Sequence, residues 1–271
     1  MAPRSVMSRR RAARRAALLA FAFLTACAGV TAPPSAEVQA LAPTGTLRVG
    51  LYPGTPTSVV GDPASGSAKG VGFDLGRELA RRAGIPFEAV VFPNNAAVQA
   101  AAKAGTVDMV FTNATPARRN DLDFSPTVLE VELGYLVPAG SSIRGADQLD
   151  RAGGRVGVSA GSTSAGALAR VFRNATLVPT ASLKAAIEML RAGTLDAFAT
   201  NKATLFEMAD ELPGARVLDN GWGVETFAIG IPKGRAPALP LVTSFAVDAK
   251  SNGTVAHAVE RAGLRGTRVP E

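Results

Sequence analysis

The feature that most constrains the fold of this chain is a unit that occurs twice, at residues 103–118 (KAGTVDMVFTNATPAR) and 191–204 (RAGTLDAFATNKAT). In both copies a helical segment stops at a glycine, an apolar strand follows an aspartate, and the pair Thr-Asn ends the strand. Strands and helical segments alternate along most of the remaining sequence, which is typical of parallel sheets covered by helices on both faces. Because ligands of open α/β sheets bind outside the carboxyl ends of the strands, two such ends predict a ligand held between two lobes.

The positive charge of the chain is concentrated at its amino terminus. The 271 residues carry a formal net charge of +7, but six arginines lie before Leu18, and the charge falls to +1 when these six are set aside. A nucleic-acid partner would require basic residues on the folded part of the chain, so none is expected. A chain of this length with 47% hydrophobic residues can form one large domain or two modest domains with hydrophobic cores.

Residues 1–26 have the organisation of a secretory signal peptide, with arginines first, then an apolar run at 16–23, then small residues. The apolar run is too short to span a bilayer. Residues 24–27 (LTAC) resemble the lipobox of bacterial lipoproteins, in which cleavage before the cysteine exposes a thiol that becomes lipidated. The alternative is that Cys27 is a small residue near an ordinary cleavage site. We predict a lipid anchor on Cys27 and a periplasmic or extracytoplasmic location at a membrane.

Few residues beyond the signal peptide could carry covalent or metal chemistry. Cys27 is the only cysteine, so its lipidation would exclude a disulfide, a thiolate metal site and a cysteine nucleophile. His257 is the only histidine, and its place on a predicted helix after an Asn-Gly pair is typical of a partly exposed residue. The sequence therefore predicts no metal, no cofactor and no catalytic residue.

Local composition divides the remainder into a tether and two lobes. Residues 27–44 are rich in Ala, Pro, Ser and Thr, which predicts a flexible tether and folded structure from about Thr46 onwards. A polar stretch with a glycine at 138–141 predicts the crossing into the second lobe, and an apolar strand at 227–231 predicts the return. Lobe 1 is then formed by residues 45–137 and 232–271, and lobe 2 by residues 138–231.

Motifs along the chain resemble those of the extracellular solute-binding proteins of the polar-amino-acid ABC transporter family (bacterial family 3). They lie at residues 72–75 (GFDL), 113–118 (NATPAR), 123–125 (DFS), 157–163 (GVSAGST), 193–197 (GTLDA) and 229–234 (IGIPKG). Their order and spacing carry the resemblance, which covers residues 46–266. The resemblance implies a two-lobed periplasmic-binding-protein fold, with a mainly parallel sheet flanked by helices in each lobe and a two-segment hinge. It also implies a monomer that captures a small polar solute and delivers it to an ABC permease.

The resemblance places a binding site for the solute between the lobes. Arg118 matches the arginine that grips the solute's carboxylate, a task that suits a guanidinium because its planar fork donates two parallel hydrogen bonds. From the residues alone, a solvated Arg118 side chain beside Arg119 on a helix is the favoured interpretation, and the Ser-Thr pair at 162–163 could be an ordinary helix cap. The full set of candidate ligand-binding residues is Tyr52, Asn95, Thr112, Asn113, Arg118, Ser162, Thr163, Thr200 and Asn201.

Departures from the family pattern concern the solute's ammonium group. Asn201 stands where amino-acid binders of the family typically have an aspartate, and the amide removes a charge-assisted hydrogen bond that contributes about 1.5–3 kcal/mol. Asn95 and Thr55 lie near the positions at which members of the family commonly have the aromatic residues that clamp the solute. Lys202 and Glu225 are further candidates for the cleft, and we expect Glu225 to point away from it. These residues predict an anionic or neutral solute, such as an amino acid derivative or a small organic anion, rather than an ordinary α-amino acid.

Two other functions stay open on the sequence alone. An enzyme on the same scaffold, such as a cyclohexadienyl dehydratase, needs a positioned acid or base in the cleft. The aspartates at helix starts and strand edges are expected to be structural instead: Asp74, Asp108, Asp123 and Asp196. A sensor-type binding subunit would use the same lobe closure and a membrane partner supplied by another protein.

Overall fold

A computed structural model describes residues 34–271, and the predicted signal peptide (1–26) and lipidated Cys27 lie outside these residues. The described chain forms the helices α1 (Ala36–Leu41), α2 (Val71–Ala83), α3 (Asn95–Lys103), α4 (Thr163–Val171), α5 (Leu183–Arg191), α6 (Lys202–Asp210), α7 (Leu239–Ser251) and α8 (Thr254–Ala262). Its strands are β1 (Leu47–Leu51), β2 (Phe87–Val91), β3 (Met109–Asn113), β4 (Leu122–Phe124), β5 (Leu129–Val137), β6 (Arg155–Ser159), β7 (Thr176–Thr180), β8 (Ala197–Asn201), β9 (Arg216–Val217), β10 (Gly223–Pro232) and β11 (Thr267–Arg268). None of the helices described is both long and apolar enough to cross a bilayer.

Folded structure begins earlier than the sequence predicts. Helix α1 lies inside the predicted tether, and the Ser35 hydroxyl caps it by accepting a hydrogen bond from the Val38 amide at 3.3 Å. Val38 and Leu41 lie one turn apart and are both buried. The Arg235 guanidinium donates to the Leu41 carbonyl at 2.8 Å, which fixes the end of the helix. The prediction of a flexible tether is therefore wrong for residues 36–41, which form α1.

The strands form one mixed sheet in the order β2-β1-β3-β10-β5-β8-β6-β7. At one end β1 pairs in parallel with β2 and β3, and at the other end β6 pairs in parallel with β7 and β8. The long strands β5 and β10 lie antiparallel to each other between these two parallel groups. This arrangement confirms the predicted α/β fold, in which two mainly parallel groups of strands are joined by two segments.

Separate hydrophobic cores form at the two ends of the sheet. The first end packs β1 and β3 against α2, α7 and α8, and its buried side chains include Leu47, Leu75, Leu79, Met109 and Phe245. The second end has one core on each face of the sheet, with Val156 and Leu168 in one and Ile187 and Phe198 in the other. Strand β5 passes between the two ends, because Val131 belongs to the first core and Tyr135 to the second. The lobe boundaries at residues 137–138 and 231–232 stay a prediction.

The repeated unit of the sequence builds the same ion pair at both ends of the sheet. Asp108 accepts a hydrogen bond from the Arg48 amide at 2.9 Å and pairs with its guanidinium at 2.7 Å. Asp196 does the same with Arg155, at 2.8 and 2.9 Å. Each arginine also donates to the carbonyl of the glycine that follows the preceding helix: Gly105 and Gly193. These contacts fix the starts of β3 and β8 and so position the Thr-Asn pairs at their ends.

Candidate functional site

A cavity of about 350 Å³ lies between the two ends of the sheet. Its wall includes the chain after β1, the start of α3, the end of β3, the turn before α4, the first turns of α5 and α6, and part of β10. The structure brings together on this wall all nine residues that the sequence proposes as ligand-binding: Tyr52, Asn95, Thr112, Asn113, Arg118, Ser162, Thr163, Thr200 and Asn201.

Helix starts position the polar side chains of the second lobe. Ser162 precedes α4 and caps it by accepting a hydrogen bond from the Ala165 amide at 3.1 Å. Asn201 ends β8 and caps α6, because its Oδ1 accepts from the Thr204 amide at 3.0 Å. The capping role that Ser162 could have on sequence grounds alone is therefore present, and it is compatible with a place on the cavity wall.

Arg118 reaches the cavity from a short 3-10 helix (Arg118–Asn120) that follows β3. Its Nη1 atom donates to the Thr112 hydroxyl and to Oδ1 of Asn113. Every hydrogen bond that its guanidinium makes within residues 34–271 uses Nη1, which leaves Nε and Nη2 for a ligand. Burial lowers the pKa of Arg118, and the nearby Glu225 and Tyr52 act in the opposite direction. The strand end therefore fixes one side of the guanidinium and leaves its other side open.

Glu225 lies on the cavity wall, so the prediction that it points away is wrong. Its Oε1 accepts hydrogen bonds from Asn113 Nδ2 at 2.9 Å and from the Thr163 hydroxyl. Burial raises the pKa of Glu225, whereas the hydrogen bonds and the charge of Arg118 oppose that shift. Hydropathy favours Val224 inside and Glu225 outside, but Val224 is 56% exposed and the strand turns the carboxylate inwards. A sequence pattern based on hydropathy cannot detect such an inversion.

Lys202 does not line the cavity, although the sequence made it a candidate donor. Its Nζ donates to Glu132 at 2.7 Å and to the Asp219 carbonyl at 2.8 Å. The aliphatic part of the Lys202 side chain packs over Gly134 of β5. A Cβ atom at position 134 would lie only 3.0 Å from Cγ of Lys202. The lysine is therefore engaged on the outer side of β5.

Tyr52 completes a cluster of interacting titratable groups with Arg118 and Glu225. Burial is the largest cause of a rise in the pKa of Tyr52 to about 12, and the Glu225 carboxylate adds to it. The phenol is therefore neutral at ordinary pH and is available as a hydrogen-bond donor or acceptor. Other parts of the wall are apolar and come from Phe111, Leu183, Ile187, Met208 and Phe227. The cavity thus combines a polar cluster with surfaces for an aliphatic chain.

The two lobes contact each other around the cavity. Asn113 Nδ2 donates to the Thr163 hydroxyl at 2.9 Å, which joins the end of β3 to the start of α4. The hydroxyls of Thr55 and Thr204 lie 2.7 Å apart, and both side chains are buried. Asn94 Nδ2 donates to the Ala181 carbonyl at 2.9 Å. These hydrogen bonds describe a closed cleft.

The four aspartates that the sequence analysis regards as structural are all ion-paired, and the cavity lining includes none of them. Their partners are Arg77 and Arg261 for Asp74, Arg48 and Arg235 for Asp108, Lys233 for Asp123, and Arg155 for Asp196. His257 is exposed on α8. Within residues 34–271, no group of three or more His, Cys, Asp or Glu side chains is placed to hold a metal ion.

Comparison with known proteins places this fold and cavity in a family. The family model of the bacterial extracellular solute-binding proteins, family 3, matches residues 47–263. The chain is 24% identical over 199 residues to the ABC transporter glutamine-binding protein GlnH of Bacillus subtilis, and the alignment covers 71% of each chain. It is 30% identical over 131 residues to the glutamine-binding protein of Geobacillus stearothermophilus, which covers 48% of this chain and 50% of that protein.

A solved structure shows the same two-lobed architecture. The solute receptor for L-cysteine of Neisseria gonorrhoeae matches with a TM-score of 0.74 and 25% identity, over 83% of this chain and 92% of that one. The family model spans both lobes and the cavity between them, and the fold agrees with a solved member of the same class of receptors. The chain therefore belongs to the bacterial extracellular solute-binding proteins, family 3.

Proposed function

We propose that the protein captures a small solute with a carboxylate, an α-amino acid, outside the cytoplasm and delivers it to an ABC permease. The observation that carries the proposal is Arg118, whose Nη1 is fixed by Thr112 and Asn113 while its other nitrogens stay open towards a closed cavity. A guanidinium held in this way can donate two parallel hydrogen bonds to a carboxylate. The relatives named above bind glutamine and L-cysteine, which supports an amino acid as the solute.

The charges around the cavity fit a zwitterion better than an anion. The expectation of an anionic or neutral solute depended on a cleft without an assigned acid, and Glu225 removes that condition. Arg118 and Glu225 provide one positive and one negative group in the same polar cluster. Leu183, Ile187 and Met208 offer apolar contact to the side chain of a solute of moderate size.

Closure and delivery follow from the architecture. Two lobes that close on a solute give the permease two distinguishable shapes, and only the closed shape signals a loaded protein. We propose that lipidated Cys27 keeps this monomer near the membrane that holds the permease. The binding subunit of a sensor would use the same closure and differ only in its partner.

Calorimetry on Arg118 variants tests the proposal. We expect Arg118→Ala to weaken binding of the solute by about tenfold or more, because it removes a charge-assisted pair of hydrogen bonds. Arg118→Lys should recover only part of the affinity, since an ammonium lacks the planar fork. Arg119→Ala is the matched control, because Arg119 is exposed and stacks over Phe124 at 5.4 Å outside the cavity. An Arg118→Ala protein with unchanged affinity would contradict the proposal.

One observation favours a second candidate, an enzyme on the same scaffold. Glu225 is a partly buried acid with a raised pKa inside the cavity, which is the kind of group that proton transfer requires. The relatives named above are binding proteins, and this supports transport over catalysis. Proton NMR of the solute recovered after calorimetry separates the two functions, because a transport protein returns it chemically unchanged.

A further inference from the structure

We propose that Glu225 binds the ammonium group of the solute and thereby selects amino acids over other carboxylates. This inference rests on the proposed function, because it takes Arg118 as the partner of the solute's carboxylate. It assigns to a β10 side chain the role that the resemblance gives to an aspartate at the place of Asn201. Three features of the cavity wall support it.

The first feature is that Asn201 offers an ammonium no negative charge and only one remaining lone pair. Its only acceptor atom, Oδ1, already receives the Thr204 amide at 3.0 Å as the cap of α6. The remaining part of its side chain is an NH₂ group, which is a donor. A solute ammonium has three donors and a full positive charge, so a carboxylate elsewhere on the wall binds it more strongly than this neutral amide.

The second feature is the open side of the Glu225 carboxylate. Both hydrogen bonds that Glu225 receives within residues 34–271, from Asn113 and Thr163, end on Oε1. Oε2 has no partner in that part of the chain. In the same region, no nitrogen of Arg118 lies within 4.0 Å of a Glu225 oxygen, so the two opposite charges do not neutralise each other by direct contact. A partly buried carboxylate in this state gains from a cationic ligand.

The third feature is the spacing of the two charges. The carboxamide of Asn113 lies between them, since its Oδ1 accepts from Arg118 and its Nδ2 donates to Glu225. One planar amide therefore orients both the cation and the anion and keeps them apart. An α-amino acid presents its carboxylate and ammonium on either side of one carbon atom, so one molecule can address both groups.

This arrangement also explains how other solutes would be rejected. A carboxylate without an amine would bind Arg118 but leave the partly buried Glu225 without a counter-ion beside a second negative charge. An amine without a carboxylate would bind Glu225 but leave Arg118 without a counter-ion beside a second positive charge. The cavity thus selects against molecules that carry only one of the two groups.

Calorimetry with paired ligands tests the inference. The twenty standard L-amino acids are screened first, and the tightest binder is compared with the same molecule in which hydrogen replaces the α-amino group. We expect wild type to prefer the amino acid by about tenfold or more, as for a charge-assisted hydrogen bond. In Glu225→Gln this preference should collapse, through weaker binding of the amino acid and equal or tighter binding of its deaminated analogue. The Gln side chain keeps an oxygen for Asn113 and Thr163.

The matched control is Glu211→Gln, because Glu211 is the other acid on the cavity wall. It should keep the preference of wild type, and loss of the preference in this variant alone would move the ammonium site to Glu211 and overturn the inference. The melting temperature of unliganded Glu225→Gln should equal or exceed that of wild type, since the change removes a partly buried charge. This measurement separates an effect on binding from a failure to fold.

Three further results would overturn the inference. They are a Glu225→Gln protein that keeps the full preference, a wild type that binds the deaminated analogue equally well, and a wild type that binds none of the twenty amino acids. Arg118→Ala distinguishes failure of the inference from failure of the proposed function. If Arg118→Ala weakens both ligands of the pair while Glu225→Gln changes neither, the carboxylate site stands and only the role of Glu225 is lost.

Discussion

At the scale of single residues, the cavity is organised by side chains that both donate and accept hydrogen bonds. Asn113 accepts from Arg118 and donates to Glu225 and Thr163, and the Thr163 hydroxyl accepts from Asn113 and donates to Glu225. Serine or threonine at position 113 could not orient a cation and an anion on opposite sides of one planar group. The choice of an amide at this position therefore determines where the two charges lie.

Binding of the amino acid should weaken as the pH falls through the raised pKa of Glu225. The raised pKa of Glu225, caused mainly by burial, means that its carboxylate takes up a proton at a higher pH than an ordinary glutamate. The charged and titratable groups that act on it are Arg118 and Tyr52, and neither titrates in this range. The ammonium and carboxylate of the solute also keep their charges there. Affinity should be complete above the raised pKa and decline as the pH falls through it.

Calorimetry at a series of pH values checks this expectation, with Glu225→Gln as the control whose affinity should stay flat. A wild type with the same flat profile would contradict it. The unliganded protein should show the opposite trend in stability. Because the folded-state pKa of Glu225 lies above the unfolded one, protonation stabilises the fold, and this contribution is lost as the pH rises through the folded-state pKa.

The sequence predicts most of the candidate site but not its charge balance. The nine proposed residues lie in motifs at strand ends and helix starts, where turn chemistry and capping restrict the backbone, and all nine line the cavity. Glu225 lies within a strand, where only alternation indicates the direction of a side chain. Strand β10 places an exposed valine beside an inward glutamate, so the hydropathy signal there has the wrong sign. Only the neighbours that a fold supplies, Asn113 and Thr163, show the true direction.

At the scale of elements, the repeated unit forms the same ion pair in two environments that differ in burial. Asp108 is fully buried and pairs with both Arg48 and Arg235. Asp196 pairs with Arg155 and keeps 24% of its side chain exposed. The same ion pair should therefore contribute differently to stability at the two ends of the sheet, because solvent screens the second pair.

We expect Asp108→Ala to lower the free energy of unfolding by about 3–5 kcal/mol, because it leaves two arginines without a counter-ion around a buried position. Asp196→Ala should lower it by about 1 kcal/mol or less, as is usual for exposed pairs. Urea denaturation of both variants, monitored by circular dichroism, measures the difference. Equal losses of unfolding free energy would show that burial does not determine how much this ion pair contributes to stability.

The long elements follow the sequence pattern, and the short ones do not. Helices α2 and α5 carry clear apolar stripes, and Gly84 marks the end of α2 while the Ser182 cap marks the start of α5. Strands β4, β9 and β11 have only two or three residues, too few for an alternating pattern to be detected. Strand β7 contains Pro179 and lies at the edge of the sheet, where the requirement for apolar residues is weak. These elements depend on pairing with strands that are distant in sequence.

At the scale of the whole molecule, two lobes share one sheet and close around one cavity. The single tryptophan, Trp222, lies at the point where β10 begins. Its amide donates to the Leu133 carbonyl of β5 at 3.1 Å, and its ring centroid lies 6.5 Å from that of Tyr135. Trp222 is thus attached to both strands that connect the lobes, which makes it a reporter of their movement.

Addition of the solute should change the emission of Trp222, because closure alters the strands that hold its ring. Fluorescence titration of wild type measures this change, and its midpoint should agree with the calorimetric dissociation constant. Trp222→Phe serves as the control, since it should lose the signal while keeping the affinity. Unchanged emission in wild type during binding that calorimetry detects would show that these strands do not move.

The cap formed by Asn201 has a consequence for how such a protein can change its ligand over evolutionary time. Asparagine and aspartate are equally good helix caps, so exchange between them at position 201 leaves α6 intact. The same exchange adds or removes a negative charge on the cavity wall. The fold therefore tolerates a substitution at this position that changes the charge offered to the ligand, so the ligand range can change without loss of the helix.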